Sequence, residues 1–150
     1  EKEVEIYNRY FKKNLLSEEV NNYVTQSGRI LTQSDMGIHN IIINSNGYYF
    51  IDFEHSGWDT IVKTISDLIL QPNHIIFKEE INNFLNVASN HFKIDNFKSE
   101  NFKIILESQR LKWVLIMLNP ILKNSPGTDI NYLEKKISKY LDKSKDYIYS

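Results

Sequence analysis

Hydrophobic positions recur at helical spacing over most of the chain and switch to a different pattern once, between about residues 40 and 52. Val4, Ile6, Tyr7, Tyr10 and Phe11 share roughly one stripe, which predicts a helix over 3–13. Ser17-Glu18-Glu19-Val20 has the form of an N-cap followed by first-turn acids, so a second helix is expected to run to about Gln26 and stop at Ser27-Gly28. Asn40-Ile41-Ile42-Ile43-Asn44 is β-branched and too short for a helix. Asn46-Gly47 then gives a strong hairpin signal, since both central residues of a type I′ turn need positive φ, and Tyr48-Tyr49-Phe50-Ile51 reads as the return strand. Such a hairpin brings Asn40, at the start of one strand, beside Asp52, at the end of its partner, across strands about 5 Å apart.

Helical spacing resumes after Gly57. Ile61, Ile65, Leu68 and Ile69 form one face up to Gln71-Pro72, where proline ends the helix. Further helices are expected over 76–92 and 98–118, the second with Leu106, Leu111, Val114, Leu115 and Leu118 inward and bent or broken at Pro120. Asp129 is placed to cap a last helix over 130–142, with a fraying Lys/Tyr-rich tail. The pattern describes one domain over 1–150, mainly α within an α+β class, with a single hairpin at about 40–52.

Composition narrows the function classes. A net charge of −1 provides no basic footprint for nucleic acid. No stretch of 18 apolar residues is present to span a membrane, and the chain has no cysteine for disulfides or thiolate metal sites, so a cytoplasmic protein is expected. The opening residues, Glu1 to Glu5, are neither an initiator methionine nor a signal peptide and read as a cut inside a longer protein.

The candidate chemistry lies in Ser34-Asp35-Met36-Gly37-Ile38-His39-Asn40, the hairpin, and Ile51-Asp52-Phe53-Glu54. Phosphoryl transfer requires a positioned nucleophile and metal ions that neutralise phosphate charge. A loop carboxylate, Asp35, can accept the attacking hydroxyl's hydrogen. Asn40, five residues on, and Asp52 across the hairpin offer hard oxygen ligands suited to Mg²⁺.

These residues resemble aminoglycoside phosphotransferases and choline kinases, which have a protein-kinase-like fold and use H-G-D-x-x-x-x-N followed by I-D-[FW]-E/D. Asp35 matches the catalytic Asp, while Asn40 and Asp52 match the metal- and nucleotide-binding pair. Ile51 to Asp59, then Ser66-Asp67-Leu68, resemble the family's I-D-F-E-x-x-G-W-x-D and A-D-[FL]; Leu111-Lys112-Trp113 and Leu118-Asn119 resemble a helix of one bacterial branch. The family's His-Gly before the catalytic Asp is Gln33-Ser34 here.

The resemblance implies a helical C-terminal lobe with Mg²⁺ as cofactor, ATP as co-substrate and a small hydroxylated acceptor such as a sugar, amino alcohol or aminoglycoside. Its glycine-rich loop and strand lysine have no counterpart here, so an N-terminal nucleotide lobe is an expected partner and residues 1–150 alone are expected to be inactive. Asp59 and Asp67 are expected to cap helices and hold the catalytic loop through backbone N–H groups. Glu54 reads as a solvated carboxylate, and His39 as a loop residue making structural hydrogen bonds. His55, His74 and His91 read as surface or packing residues, Trp58 and Trp113 as core, and Lys112 as a lysine snorkelling off an apolar helix. Two other readings stay open: a non-catalytic kinase-like binding module, and a plain helical interaction domain.

Overall fold

A computed structural model describes residues 13–15, 17–73, 77–94, 97 and 99–148; the helix expected over 3–13 and His74 lie outside these, save for helical Lys13. Helix α1 (Glu18–Gln26) begins as its sequence suggests. The Ser17 hydroxyl accepts the Val20 N–H at 3.3 Å, and Glu18 and Glu19 complement the positive helix end. Gly28, at φ 80, turns the chain out of this helix into strand β1 (Arg29–Thr32).

Strand β1 pairs antiparallel with β4 (Gly57–Thr60), setting Leu31 opposite Trp58; the sequence pattern did not reveal this second ladder. Between them, a 3₁₀ turn (Ile38–Asn40) leads into the expected hairpin, β2 (Ile41–Asn44) and β3 (Gly47–Phe50), with Ile41 opposite Phe50 and Asn44 opposite Gly47. Its turn differs from the expected type I′. Ser45 and Asn46 are the connecting residues and neither has positive φ; that conformation falls on Gly47, at φ 138. Asn44 Oδ1 accepts the Asn46 N–H at 2.8 Å, an Asx contact that sets the bend one residue earlier.

Helix α2 (Ile61–Leu70) is the centre of the fold. Ile61, Val62, Ile65, Ile69 and Leu70 are buried, and so are Thr64, Ser66 and Asp67 on its other sides. A helix buried nearly all round must be packed by neighbours, and α4 (Glu100–Leu122) is the principal one, through Phe102, Ile105 and Leu106. Helix α3 (Lys78–Phe92) adds Ile81 and Ala88 to this core. Helix α5 (Ile130–Ile148) packs on α4 and starts where Asp129 Oδ1 accepts the Tyr132 N–H at 3.0 Å.

Two expectations about helix ends are corrected. Pro120 does not break α4, which continues to Leu122, because it falls in the last turn and only one hydrogen bond, to the Ile116 carbonyl, is forgone. The turn closes through Lys123 N–H to Asn119 and Ser125 N–H to Pro120, each at 2.9 Å. The lysine- and tyrosine-rich end, expected to fray after 142, is helical to Ile148, with Tyr140 and Ser144 buried. The architecture is therefore mainly helical, an α+β arrangement with two small two-stranded ladders.

Candidate functional site

The loop from Gln33 to Asn40 is held mainly by polar bonds. Asp35's carbonyl accepts both the Gly37 N–H, at 3.0 Å, and the Asn40 side-chain Nδ2, at 3.0 Å. Asn40 is 5% exposed, and with Nδ2 committed to that carbonyl its Oδ1 is the atom left for a cation. The Asn40 N–H donates to the Gly37 carbonyl at 2.9 Å, and a Cβ on Gly37 would overlap the His39 ring, so a larger residue there would displace that ring.

Asp35's carboxylate is half-exposed. Gln71 Nε2 donates to its Oδ1 at 2.9 Å, leaving Oδ2, 3.5 Å from His39 Nε2, as the oxygen not committed to the scaffold. Asp52 is delivered to the same region by the hairpin, whose last backbone bond runs from the Ile51 N–H to the Asn40 carbonyl at 3.0 Å. The buried Gln33 donates from Nε2 to the Asp52 carbonyl at 3.3 Å, while the exposed Asp52 carboxylate has no hydrogen-bond or ion-pair partner among the described residues. Asp35, Asn40 and Asp52 therefore belong to one loop-and-hairpin unit.

Two non-glycine residues of this unit take left-handed backbone: Ser34, at φ 69, and Asp52, at φ 64. Such residues cost of order 1–3 kcal/mol each and collect at functional sites. Ser34 stands where the family resemblance has glycine, and its φ supplies the physical reason for a glycine at that position.

Asp59 and Asp67 do something other than expected. Neither accepts a backbone N–H from residues 34–40. Asp59 Oδ1 takes the Thr60 N–H at 2.8 Å, at the threshold of α2, and its Oδ2 binds Lys63. Asp67 lies mid-helix, where backbone donors are already used, and its buried carboxylate binds Lys63 at 3.0 Å and Lys112. A carboxylate buried this deeply requires cationic partners, and these two lysines supply them. Lys112 is thus not simply snorkelling: it ties α4 to α2 and lies 4.9 Å over the Trp113 ring. Burial works against the Lys63 ammonium, but its hydrogen bond to Asp59 and the charge of Asp67 outweigh that, so its pKa is raised.

Trp113 is partly buried against the core, as expected, whereas Trp58 is 69% exposed. Glu54 and His55 are exposed and pair with each other at 3.3 Å; His91 is exposed and stacks edge-on with Phe92. Sequence reasoning missed Gln33 and Gln71. Gln33 occupies the place of the family histidine, and Gln71 precedes a helix-ending proline, so each carried a positional signal but no chemical one.

Among the described residues, no group of three or more His, Cys, Asp or Glu could hold a metal ion. Asn40 Oδ1 and the Asp52 carboxylate form a different kind of donor set, one or two hard oxygens, which suits an ion such as Mg²⁺ that keeps waters and takes substrate phosphates as its remaining ligands. No helix among the described residues is long and apolar enough to cross a membrane.

The chain matches no family model, no curated protein and no solved structure. Its functional reading rests on the site itself.

Proposed function

We propose that this chain is the catalytic, C-terminal lobe of an ATP-dependent O-phosphotransferase acting on a small hydroxylated molecule. The observation that supports it most is the closed link Asp35–Asn40–Ile51. One amide locks the loop carbonyl, and one strand-end bond sets Asp52 beside it. Asp35 Oδ2 takes the proton of the acceptor hydroxyl as that oxygen forms its bond to the γ-phosphorus, and the bond to the departing nucleoside diphosphate breaks. Asn40 Oδ1 and Asp52 would hold Mg²⁺, which supplies charge neutralisation on the transferred phosphate. Gln71 and Gln33 act as positioning residues, fixing Asp35 and the Asp52 backbone respectively.

An N-terminal nucleotide lobe belongs to the same proposal. Leu31 and Trp58, opposite each other on β1 and β4, are exposed together with Ile38, Ile43, Tyr48 and Phe53 around the loop and hairpin. Exposed apolar side chains gathered on neighbouring strands are of the kind found at interaction sites, and a lobe closing over the phosphates would cover them.

The test is Mg²⁺- and ATP-dependent phosphorylation of an alcohol by the full-length protein. Asp35→Asn is expected to lower kcat by about 10²–10⁴-fold with nucleotide affinity nearly unchanged, because it removes an interaction made in the transition state. Asp52→Ala is expected to remove metal-dependent turnover. Near-wild-type turnover by Asp35→Asn would overturn the reading in favour of a non-catalytic module.

A further inference from the structure

The tip of the hairpin that carries Asp52 holds a reactive pair that the site chemistry does not use. Asn46-Gly47 is the one place in the chain where asparagine precedes glycine. Asn46 is exposed, and although its N–H donates to Asn44 Oδ1 at 2.8 Å, its side-chain amide has no hydrogen-bond partner among the described residues. Gly47 takes φ 138, and the space a Cβ would enter is empty to 4 Å. Glycine therefore serves the backbone of the turn and also leaves its own nitrogen unshielded.

Such a pair can react with itself. The Gly47 backbone nitrogen bonds to Cγ of Asn46, the bond from Cγ to the amide nitrogen breaks, and ammonia leaves with the proton of the Gly47 N–H. Water then opens the resulting succinimide. Opening at the main-chain carbonyl leaves a free carboxylate there and routes the backbone through the side chain, which gives isoaspartate; opening at Cγ gives aspartate. Water is the sole co-reactant. To attack, the nitrogen must leave its place opposite Asn44, the pair of the β2–β3 ladder next to the turn. Little opposes that. Ile43 and Tyr48, the pair behind it, are 65% and 73% exposed, and a two-stranded hairpin with no covered face opens at low cost. Asn44 and Asn124 both precede serine, whose Cβ crowds the attacking nitrogen.

We infer that Asn46 is a site of spontaneous modification, converting to isoaspartate and aspartate through a succinimide with Gly47, and that isoaspartate there loosens the hairpin. The isoaspartyl link lengthens the backbone by a methylene within a two-residue turn, so Asn44 and Gly47 no longer meet in register, and it adds a negative charge. The disturbance runs down the ladder toward its base, where the Ile51 N–H donates to the Asn40 carbonyl at 3.0 Å. The inference does not depend on the phosphotransferase reading, because the hairpin joins Asp52 to Asn40 whatever chemistry they perform.

The test is to age the chain in mildly alkaline buffer at physiological temperature, folded and in urea, and to map asparagine, aspartate and isoaspartate at each position by mass spectrometry. Asn46 is expected to convert at least about tenfold faster than Asn44 or Asn124. Its rate in the folded chain should lie within about tenfold of its rate in urea, since the hairpin tip opens locally. In the isoaspartate form, isolated by ion exchange, the Ile51 amide should exchange with solvent at least about threefold faster than in fresh protein, while Ile65 in α2 keeps its protection. Asn46→Gln, whose ring closure is slower because it forms a six-membered imide, should keep Ile51 protected on ageing. Fresh Asn46→Asp, which adds the charge without lengthening the backbone, should exchange at Ile51 as the wild type does. Conversion at Asn46 no faster than at Asn44 or Asn124, or conversion in urea with none in the folded chain, would overturn the site. Unchanged exchange at Ile51 in the isoaspartate form, or the same loss on ageing in Asn46→Gln, would overturn its link to the hairpin.

Discussion

Helix α2 and the β2–β3 hairpin are made of similar residues yet are stabilised in different ways. α2 buries Val62, Ile65 and Ile69 among α1, α4 and α3, each such side chain contributing about 1.5–3 kcal/mol. The hairpin carries Ile42, Ile43, Tyr48, Tyr49 and Phe50, all exposed, Tyr48 to 73%. A sheet normally hides one face, and a lone two-stranded hairpin is marginal in water. The hairpin is held at its base instead, by the Ile51–Asn40 backbone bond and the Gln33 contact to Asp52. Among the described residues, apolar packing surrounds α2 while the hairpin's apolar side chains stay exposed, a difference in keeping with the second lobe proposed above.

That contrast can be broken most directly by truncation in each region. Ile65→Ala should destabilise the chain by about 2–5 kcal/mol, since it leaves a cavity between packed helices. Ile43→Ala, at a position 65% exposed, should change stability by no more than about 0.5 kcal/mol. Urea unfolding of the two variants gives the comparison. Equal losses would mean that the hairpin's apolar side chains are covered within the chain itself.

Next in size is Gln71→Ala. The side chain is buried at 4% exposure and bonded at both ends, so its removal should cost about 1–3 kcal/mol and free the Asp35 carboxylate to rotate. In the full-length protein kcat should fall by roughly tenfold with the KM for ATP unchanged, a split that a purely structural role would not produce. Gln71→Glu, which puts a second carboxylate beside Asp35, should do worse than Ala in kcat.

Most of the helical architecture was legible in the sequence from caps and apolar spacing: Ser17, Asp129 and the Ile61–Ile69 face do what these imply, although Leu115 on α4, expected inward, is 52% exposed. What escaped reading depended on contacts between distant positions. The β1–β4 ladder is four residues long, with mixed side chains, and shows no alternation. Asp67 looked like a loop-binding residue in the motif, but only the packing of α4 shows that Lys112 arrives to pair with it. Gln33 and Gln71 lie 38 positions apart and act on one site, and glutamine carries no chemistry that would single it out. The hairpin's existence was readable from its composition, but its lack of cover was not.

A smaller effect concerns the Asp59–Lys63–Asp67 link that fastens β4 to α2. Lys63 is raised above its ordinary 10.5 in the folded chain, so it binds its proton more tightly there than when unfolded. Its contribution to stability is fully present below about pH 10.5 and is lost as pH rises through the raised value. Lys63→Met should therefore melt below the wild type at pH 8, and the gap should narrow above pH 10.5. Burial also raises the Tyr140 phenol, which weakens folding at high pH in the same direction, but both proteins retain Tyr140, so the difference isolates Lys63. A gap that stays constant from pH 8 to 11 would show that the link adds nothing through its charge.

The smallest expected change tests the loop's backbone. Ser34 sits at φ 69, its N–H donating to Thr32 Oγ1 at 3.3 Å, while its own hydroxyl has no hydrogen-bond partner among the described residues. Glycine at this position would keep the backbone bond and remove the Cβ clash of left-handed geometry, worth about 1–2 kcal/mol. It would also loosen the unfolded chain, at a cost of about 0.5–1 kcal/mol. The net gain for Ser34→Gly should thus be about 0.5 kcal/mol, with turnover unchanged or slightly higher. Ser34→Val cannot take this conformation without strain and should lose about 1–2 kcal/mol, with kcat falling as Asp35 moves off its Gln71 bond. Denaturant midpoints for the three proteins read both signs at once. A neutral valine would mean that residue 34 leaves the left-handed region in solution, and that the hydrogen bonds around Asp35, rather than this residue's backbone, set the shape of the loop.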